Sequence, residues 1–273
     1  MISARAIVNR RRMPPDSVST WSPAFSGVDT GETAYSTVAY PAGIQAANYA
    51  AWLRRPVRKV RPDSGALQVG RDTGLMRDEW IHVGRLWTNG EQFLAIDSAG
   101  RSDWRGHTDD EFDRTVHLTW QETGLAVGSR MAALVGGDGV VRDDSWVEVF
   151  RGGSGALALV QAGGLDYRSV LAAALEYPDD QDLDGVMIEV RSGELAVFTA
   201  AADGDGEFAN PFEQARPGLV PAEHGPPSRG VDPGLLISTD GVTAFRLKVR
   251  WFTELDEKSR FARWLLIPVT AGY

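Results

Sequence analysis

Between Trp80 and Phe198 the hydrophobic and polar positions of the chain run through one pattern twice. Trp80-Ile-His-Val matches Trp146-Val-Glu-Val, and Phe93-Leu-Ala-Ile matches Leu157-Ala-Leu-Val. Ala99-Gly and Asp103-Trp-Arg match Gly163-Gly and Asp166-Tyr-Arg. Val116-His-Leu-Thr-Trp-Gln-Glu-Thr-Gly-Leu-Ala-Val aligns without a gap on Val186-Met-Ile-Glu-Val-Arg-Ser-Gly-Glu-Leu-Ala-Val. Internal repeats decide architecture, so they are weighed before single elements.

Alternation with period two predicts strands, and Gly-containing turns predict how they join. In the first unit, strands Glu79–Gly84 and Gln92–Asp97 flank the Thr88-Asn89-Gly90 turn as a hairpin. Thr115–Gln121 alternates strictly and predicts a half-buried strand, turned by Glu122-Thr-Gly into Leu125-Ala-Val and Met131-Ala-Ala-Leu-Val. The second unit predicts a hairpin of Trp146–Phe150 and Ala156–Gln161 across Gly152-Gly-Ser-Gly. A helix over Tyr167–Tyr177 follows, with Asp166 placed to cap its start. Val186–Val190 and Glu194–Ala200 then form a hairpin over Arg191-Ser-Gly.

Outside the repeats the pattern weakens. Residues 1–76 comprise an arm rich in Ser, Thr, Pro and Gly over about 1–40, one short helix, Ile44–Arg55, stopped by Pro56, and irregular short strands and turns after it. Residues 203–234 concentrate Pro and Gly, so a long irregular connection is expected there. Residues 235–273 end in a hairpin with Phe245, Leu247, Val249 and Trp251 on one face and Arg246, Lys248 and Arg250 on the other. The expected fold is α+β, mostly antiparallel sheet with few short helices and an internal duplication of a ββαββ unit. Units at 77–139 and 140–202 carry the duplication, and 203–273 packs with them as one domain.

Composition narrows the function classes. Hydrophobic residues make up 43% of 273, enough for a core. A net charge of −9 argues against nucleic acid as partner and for a basic one. With no cysteine there is no disulfide, thiolate metal site or thiol nucleophile. No apolar run reaches the length of a membrane span and the N-terminus lacks a continuous apolar signal core, so cytoplasmic localisation is expected.

Candidate chemistry is sparse. The four histidines, His82, His107, His117 and His224, share no metal-ligand spacing, and His82 and His117 read as surface residues at polar strand positions. Ser154 sits in a hairpin turn with the wrong glycine spacing for a nucleophile elbow. No catalytic residue or cofactor is expected. Asp180, Asp182 and Asp184 before Gly185 match the start of a calcium loop, but Arg191 stands where the closing Glu belongs. Two acidic runs, Asp109-Asp110-Glu111 with Asp113, and Asp179-Asp180 with Asp182 and Asp184, occupy matched places and could form one negative surface. Trp104 and Tyr167, at matched positions, are the aromatic anchors expected beside them. Arg246, Lys248, Arg250 and Arg263 read as the solvent face of the C-terminal sheet.

Trp146, the Gly152-Gly turn, the Ala156–Val160 strand, the Asp166-Tyr167 helix start and the Gly193-Glu-Leu-Ala-Val-Phe strand resemble small α+β immunity proteins of bacterial polymorphic-toxin systems. The resemblance implies a cytoplasmic protein that neutralises a basic toxin domain by binding it without chemistry. Two other readings stay open: a hydrolase with a cleft between the repeats, and a phage or secretion-system assembly protein.

Overall fold

The structure is a computed structural model that describes residues 79–119, 121–136, 141, 144–220 and 232–269. The predicted Ile44–Arg55 helix, the Arg10-Arg11-Arg12 run and His224 lie outside these residues. The described chain begins with β1 (Ile81–Asn89), β2 (Phe93–Asp97), a 3-10 helix (Ser98–Asp103), α1 (Phe112–Val116), β3 (Gly124–Val127) and β4 (Arg130–Val135). It continues through β5 (Asp144–Arg151), β6 (Leu157–Gly163), α2 (Tyr167–Glu176), β7 (Leu183–Glu189) and β8 (Glu194–Thr199). It closes with β9 (Phe212–Gln214), β10 (Gly234–Ser238), β11 (Ala244–Glu254) and β12 (Arg260–Pro268).

These strands form two six-stranded sheets, ordered β1-β5-β6-β12-β11-β7 and β3-β4-β2-β8-β10-β9. Neighbouring strands are antiparallel except β9 and β10. The fold is therefore α+β and mostly antiparallel, as the pattern implied. Val83, Val147, Leu247 and Trp264 from the first sheet meet Phe93, Val197 and Ile237 from the second in the largest apolar cluster. Each outer face is covered as well. On α2, Tyr167, Val170, Leu171 and Ala174 fall at i, i+3, i+4 and i+7 and pack on Phe150, Val160 and Phe261 of the first sheet. Trp104 and Phe112 cover Leu94, Ile96 and Phe198 of the second. Because both faces are buried, β2 and β6 are mostly apolar without alternation, and every residue in them, Asp97 and Gln161 included, is buried. Among the described residues no helix is long and apolar enough to cross a membrane.

The hairpins β5–β6 and β11–β12 and the Asp166-capped α2 form as the sequence predicts. Two other predicted hairpins do not. The turn at Gly90 leads from β1 in the first sheet to β2 in the second, and the turn at Gly193 leads from β7 in the first to β8 in the second. Both glycines hold positive φ, 96° and 80°. The predicted turn chemistry is thus present, but a tight turn can cross a sandwich as well as close a hairpin. Here β2 and β8 pair with each other instead, Leu94 opposite Phe198 and Ile96 opposite Ala196. The matched segments therefore occupy different places, since β2 lies in the second sheet and its counterpart β6 in the first. The predicted Thr115–Gln121 strand is replaced by α1 and a turn. Acidic residues before α1 and Asp113 in its first turn suit a helix N-terminus, and the Thr115 hydroxyl donates back to the Phe112 carbonyl.

Candidate functional site

Where β1 crosses into β2, the chain forms an open pocket of about 410 Å³. Leu86, Trp87 and Asn89 line it from β1, Glu91 and Phe93 from the crossing, Thr199 and Ala201 from the end of β8. His107, Phe208, Asn210 and Asp232 complete the wall. Among the described residues no Lys or Arg lines it.

The walls are held by local bonds. The Thr88 hydroxyl donates to the Glu91 carbonyl and accepts from the Gly90 amide, which fixes the crossing turn. Trp87 Nε1 donates to Asn89 Oδ1 at 2.8 Å, and the Trp87 ring meets Trp146 edge-on at 5.0 Å. On the far side Asp203, 1% exposed, accepts from the backbone amides of His107 and Thr108, both at 3.0 Å, and from the Thr108 hydroxyl. Burial would raise the Asp203 pKa, but these donors and the Arg105 guanidinium outweigh it and hold the carboxyl below its ordinary value. His107 is thereby set against Phe208, ring centres 5.1 Å apart. Gly106 is required beside it, because a Cβ there would sit 2.3 Å from the Ala200 carbonyl oxygen. Asn210 Nδ2 donates to the Asp232 carbonyl at 3.1 Å, tying the last wall in place.

Glu91 and Asp232 differ from the other acids of the molecule. Among the described residues neither makes an ion pair, and the side-chain donor to Glu91 is the Thr199 hydroxyl at 3.4 Å. Burial pushes the Glu91 pKa up, the Thr199 hydroxyl offsets part of the rise, and the Asp232 charge adds to it. Burial alone raises Asp232. Two carboxyls without an ion-pair partner among the described residues, lining one pocket, can accept a cation or hold a proton to higher pH than they ordinarily would.

The chain matches no protein-family model, no curated protein and no solved structure.

A second polar cluster lies on the outer face of the first sheet. A β-bulge between His82 and Gly84 shifts the phase of β1, so His82 and Arg85, three apart, share the face that Glu148 occupies on β5. Fully buried Glu148 accepts from His82 Nε2 at 2.7 Å, Arg85 Nη2 at 2.5 Å and the Tyr167 hydroxyl at 2.9 Å. Burial would raise its pKa, but the His82 and Arg85 hydrogen bonds, the Arg85 charge and Tyr167 together lower it. His82 is consequently 8% exposed, which corrects its reading as a surface residue.

The sequence-predicted site residues divide. Asp109 and Asp110, on the turn that leaves His107, and Asp113, in the first turn of α1, are exposed and free of ion pairs among the described residues. Glu111 is engaged locally, accepting from the Arg105 amide and the Arg114 guanidinium. Trp104 and Tyr167 are not exposed anchors. Trp104 is fully buried with its Nε1 donating to the Ala200 carbonyl at 2.9 Å, and Tyr167 is 7% exposed on Glu148. Part of the second acidic run is engaged by the chain's own cations. Arg250 Nε reaches Asp182 Oδ1 at 2.5 Å and Arg263 Nη2 reaches Asp182 Oδ2 at 2.9 Å. Lys248 Nζ lies 3.0 Å from Asp179, while Asp180 and Asp184 remain exposed. Arg263 is also buried and donates to the Ala174 and Tyr177 carbonyls at the end of α2. The supposed solvent stripe is thus largely the counter-charge of the supposed binding surface. With both Asp182 oxygens on guanidinium groups, Asp180, Asp182 and Asp184 do not converge as a calcium site. Among the described residues no three His, Asp or Glu are placed to hold a metal.

Glu91, Asp232 and Thr199 escaped sequence reasoning, because they come from three distant turns and share no spacing. The one local signal was the Asn89-Gly90 turn beside Glu91, which marked a bend but not its destination.

Proposed function

We propose that the chain is a cytoplasmic, non-catalytic protein-binding module for a basic partner, with toxin neutralisation as its specific form. One observation carries this reading: the exposed carboxylates Asp109 and Asp110 on the turn after His107, with Asp113 in α1, follow a residue that lines a cavity whose two acids have no ion-pair partner among the described residues. A negative rim steers a basic surface toward the site, and a fixed wall lowers the ordering cost of binding. Capture from the native host with the tagged full chain tests it. A single stoichiometric basic partner is expected, lost at high salt and lost again in the triple variant Asp109→Lys, Asp110→Lys, Asp113→Lys. A clean protein with no partner contradicts it.

The raised pKa values of Glu91 and Asp232 favour a second reading, a hydrolase in which one carboxyl holds the proton for a leaving group. Turnover of an ester, amide or glycoside panel that vanishes in Glu91→Gln would select it.

A further inference from the structure

We infer that the cavity between the β1–β2 crossing and the His107 turn is a socket for one basic side chain, lysine or arginine, of the protein partner. The inference rests on the binding-module reading and names what the partner inserts. Charge decides the guest. Glu91 and Asp232 face the cavity, and among the described residues no Lys or Arg shares its wall. An anion would meet two acids unscreened, and a neutral guest would leave both desolvated without a partner. An ammonium or guanidinium would give them a counter-charge that they lack among the described residues, through charge-assisted hydrogen bonds.

The rest of the wall suits the stem of such a side chain. Leu86, Phe93 and Phe208 offer apolar surface to methylenes, and Trp87 offers an indole whose ring face attracts cations. At about 410 Å³ the cavity falls within the size class of small-ligand sites, roughly 300–1,000 Å³. Its walls are already held by Thr88, Asn89 and Asp203, so a guest need not order them. The exposed Asp109, Asp110 and Asp113 continue the negative field to the surface from which a partner would approach.

Two titrations of the full chain test the socket. Calorimetry with N-acetyl-lysine methylamide and N-acetyl-arginine methylamide is compared with their uncharged counterparts, the norleucine and citrulline derivatives. At least one cation is expected to bind about tenfold or more tightly than its neutral counterpart, and to lose about tenfold in Glu91→Gln and in Asp232→Asn. Binding of both cations no tighter than that of their neutral counterparts overturns the inference, as does unchanged cation binding in both variants, or no binding of either cation. Circular dichroism and thermal melts show that the variants remain folded. Capture from the host separates this failure from that of the binding module. A partner retained by Glu91→Gln and Asp232→Asn but lost on charge reversal of Asp109, Asp110 and Asp113 keeps the module and removes the socket. Cation binding by the isolated chain with no partner in the host keeps the socket and removes the module.

Discussion

Glu148 and Glu91 are both desolvated carboxylates on the β1 side of the sandwich, and they are treated in opposite ways. Glu148 has a histidine, an arginine and a tyrosine around it, each within 2.9 Å. Glu91 has one hydroxyl at 3.4 Å and a second acid for company. Their pKa values move apart accordingly, down for Glu148 and up for Glu91. A buried acid fully served by its own chain belongs to the architecture. One left without a counter-charge is where the chain leaves room for something else.

The largest expected effect breaks the served site. Glu148→Ala leaves Arg85 and His82 facing a buried gap and costs about 3–5 kcal/mol in denaturant unfolding. Asp182→Ala, which strands the buried Arg263 guanidinium, falls in the same range. Tyr167→Phe removes one of the donors to Glu148 and costs about 1 kcal/mol.

The pH dependence should differ in sign. Glu148, with its folded pKa below the ordinary 4.5, contributes stability that is present above that value and lost as pH falls through the lower folded value. Glu91, with its folded pKa above 4.5, contributes stability present below the ordinary value and lost as pH rises through the raised one. Glu91→Gln therefore raises the thermal midpoint at neutral pH and gains little at acid pH, by less than Glu148→Ala lowers it. Melts across pH 3–8 check both signs. The smallest effect is expected from His107→Ala. It removes an exposed ring at the cavity wall, shifts stability by less than about 0.5 kcal/mol, and weakens cation binding modestly.

The sequence made some of this legible. Local signals were sufficient where partners are near in the chain: Asp166 capping α2, the Gly152-Gly-Ser-Gly hairpin, and the alternation of β11. They failed where the partner is distant. The Asn89-Gly90 turn looks the same whether the next strand folds back or crosses to another sheet, and only the β2–β8 pairing distinguishes the two. Trp104 looked like a surface anchor because its acceptor, the Ala200 carbonyl, comes from the end of β8. Acid and base runs read as two surfaces proved to be one network, because Asp182 and Arg263 meet only after the hairpin docks. The bulge that sets His82 and Arg85 on one face breaks the alternation on which the strand reading depended.

The central claim is that Glu91, which has no ion-pair partner among the described residues, takes its counter-charge from a bound cation. Side-chain carboxyl NMR of the full chain, titrated with and without saturating N-acetyl-lysine methylamide, measures it directly. The account predicts a Glu91 midpoint above the ordinary 4.5 in the free chain, moving down when the cation is present. A midpoint at or below 4.5 that the cation leaves unmoved would contradict it.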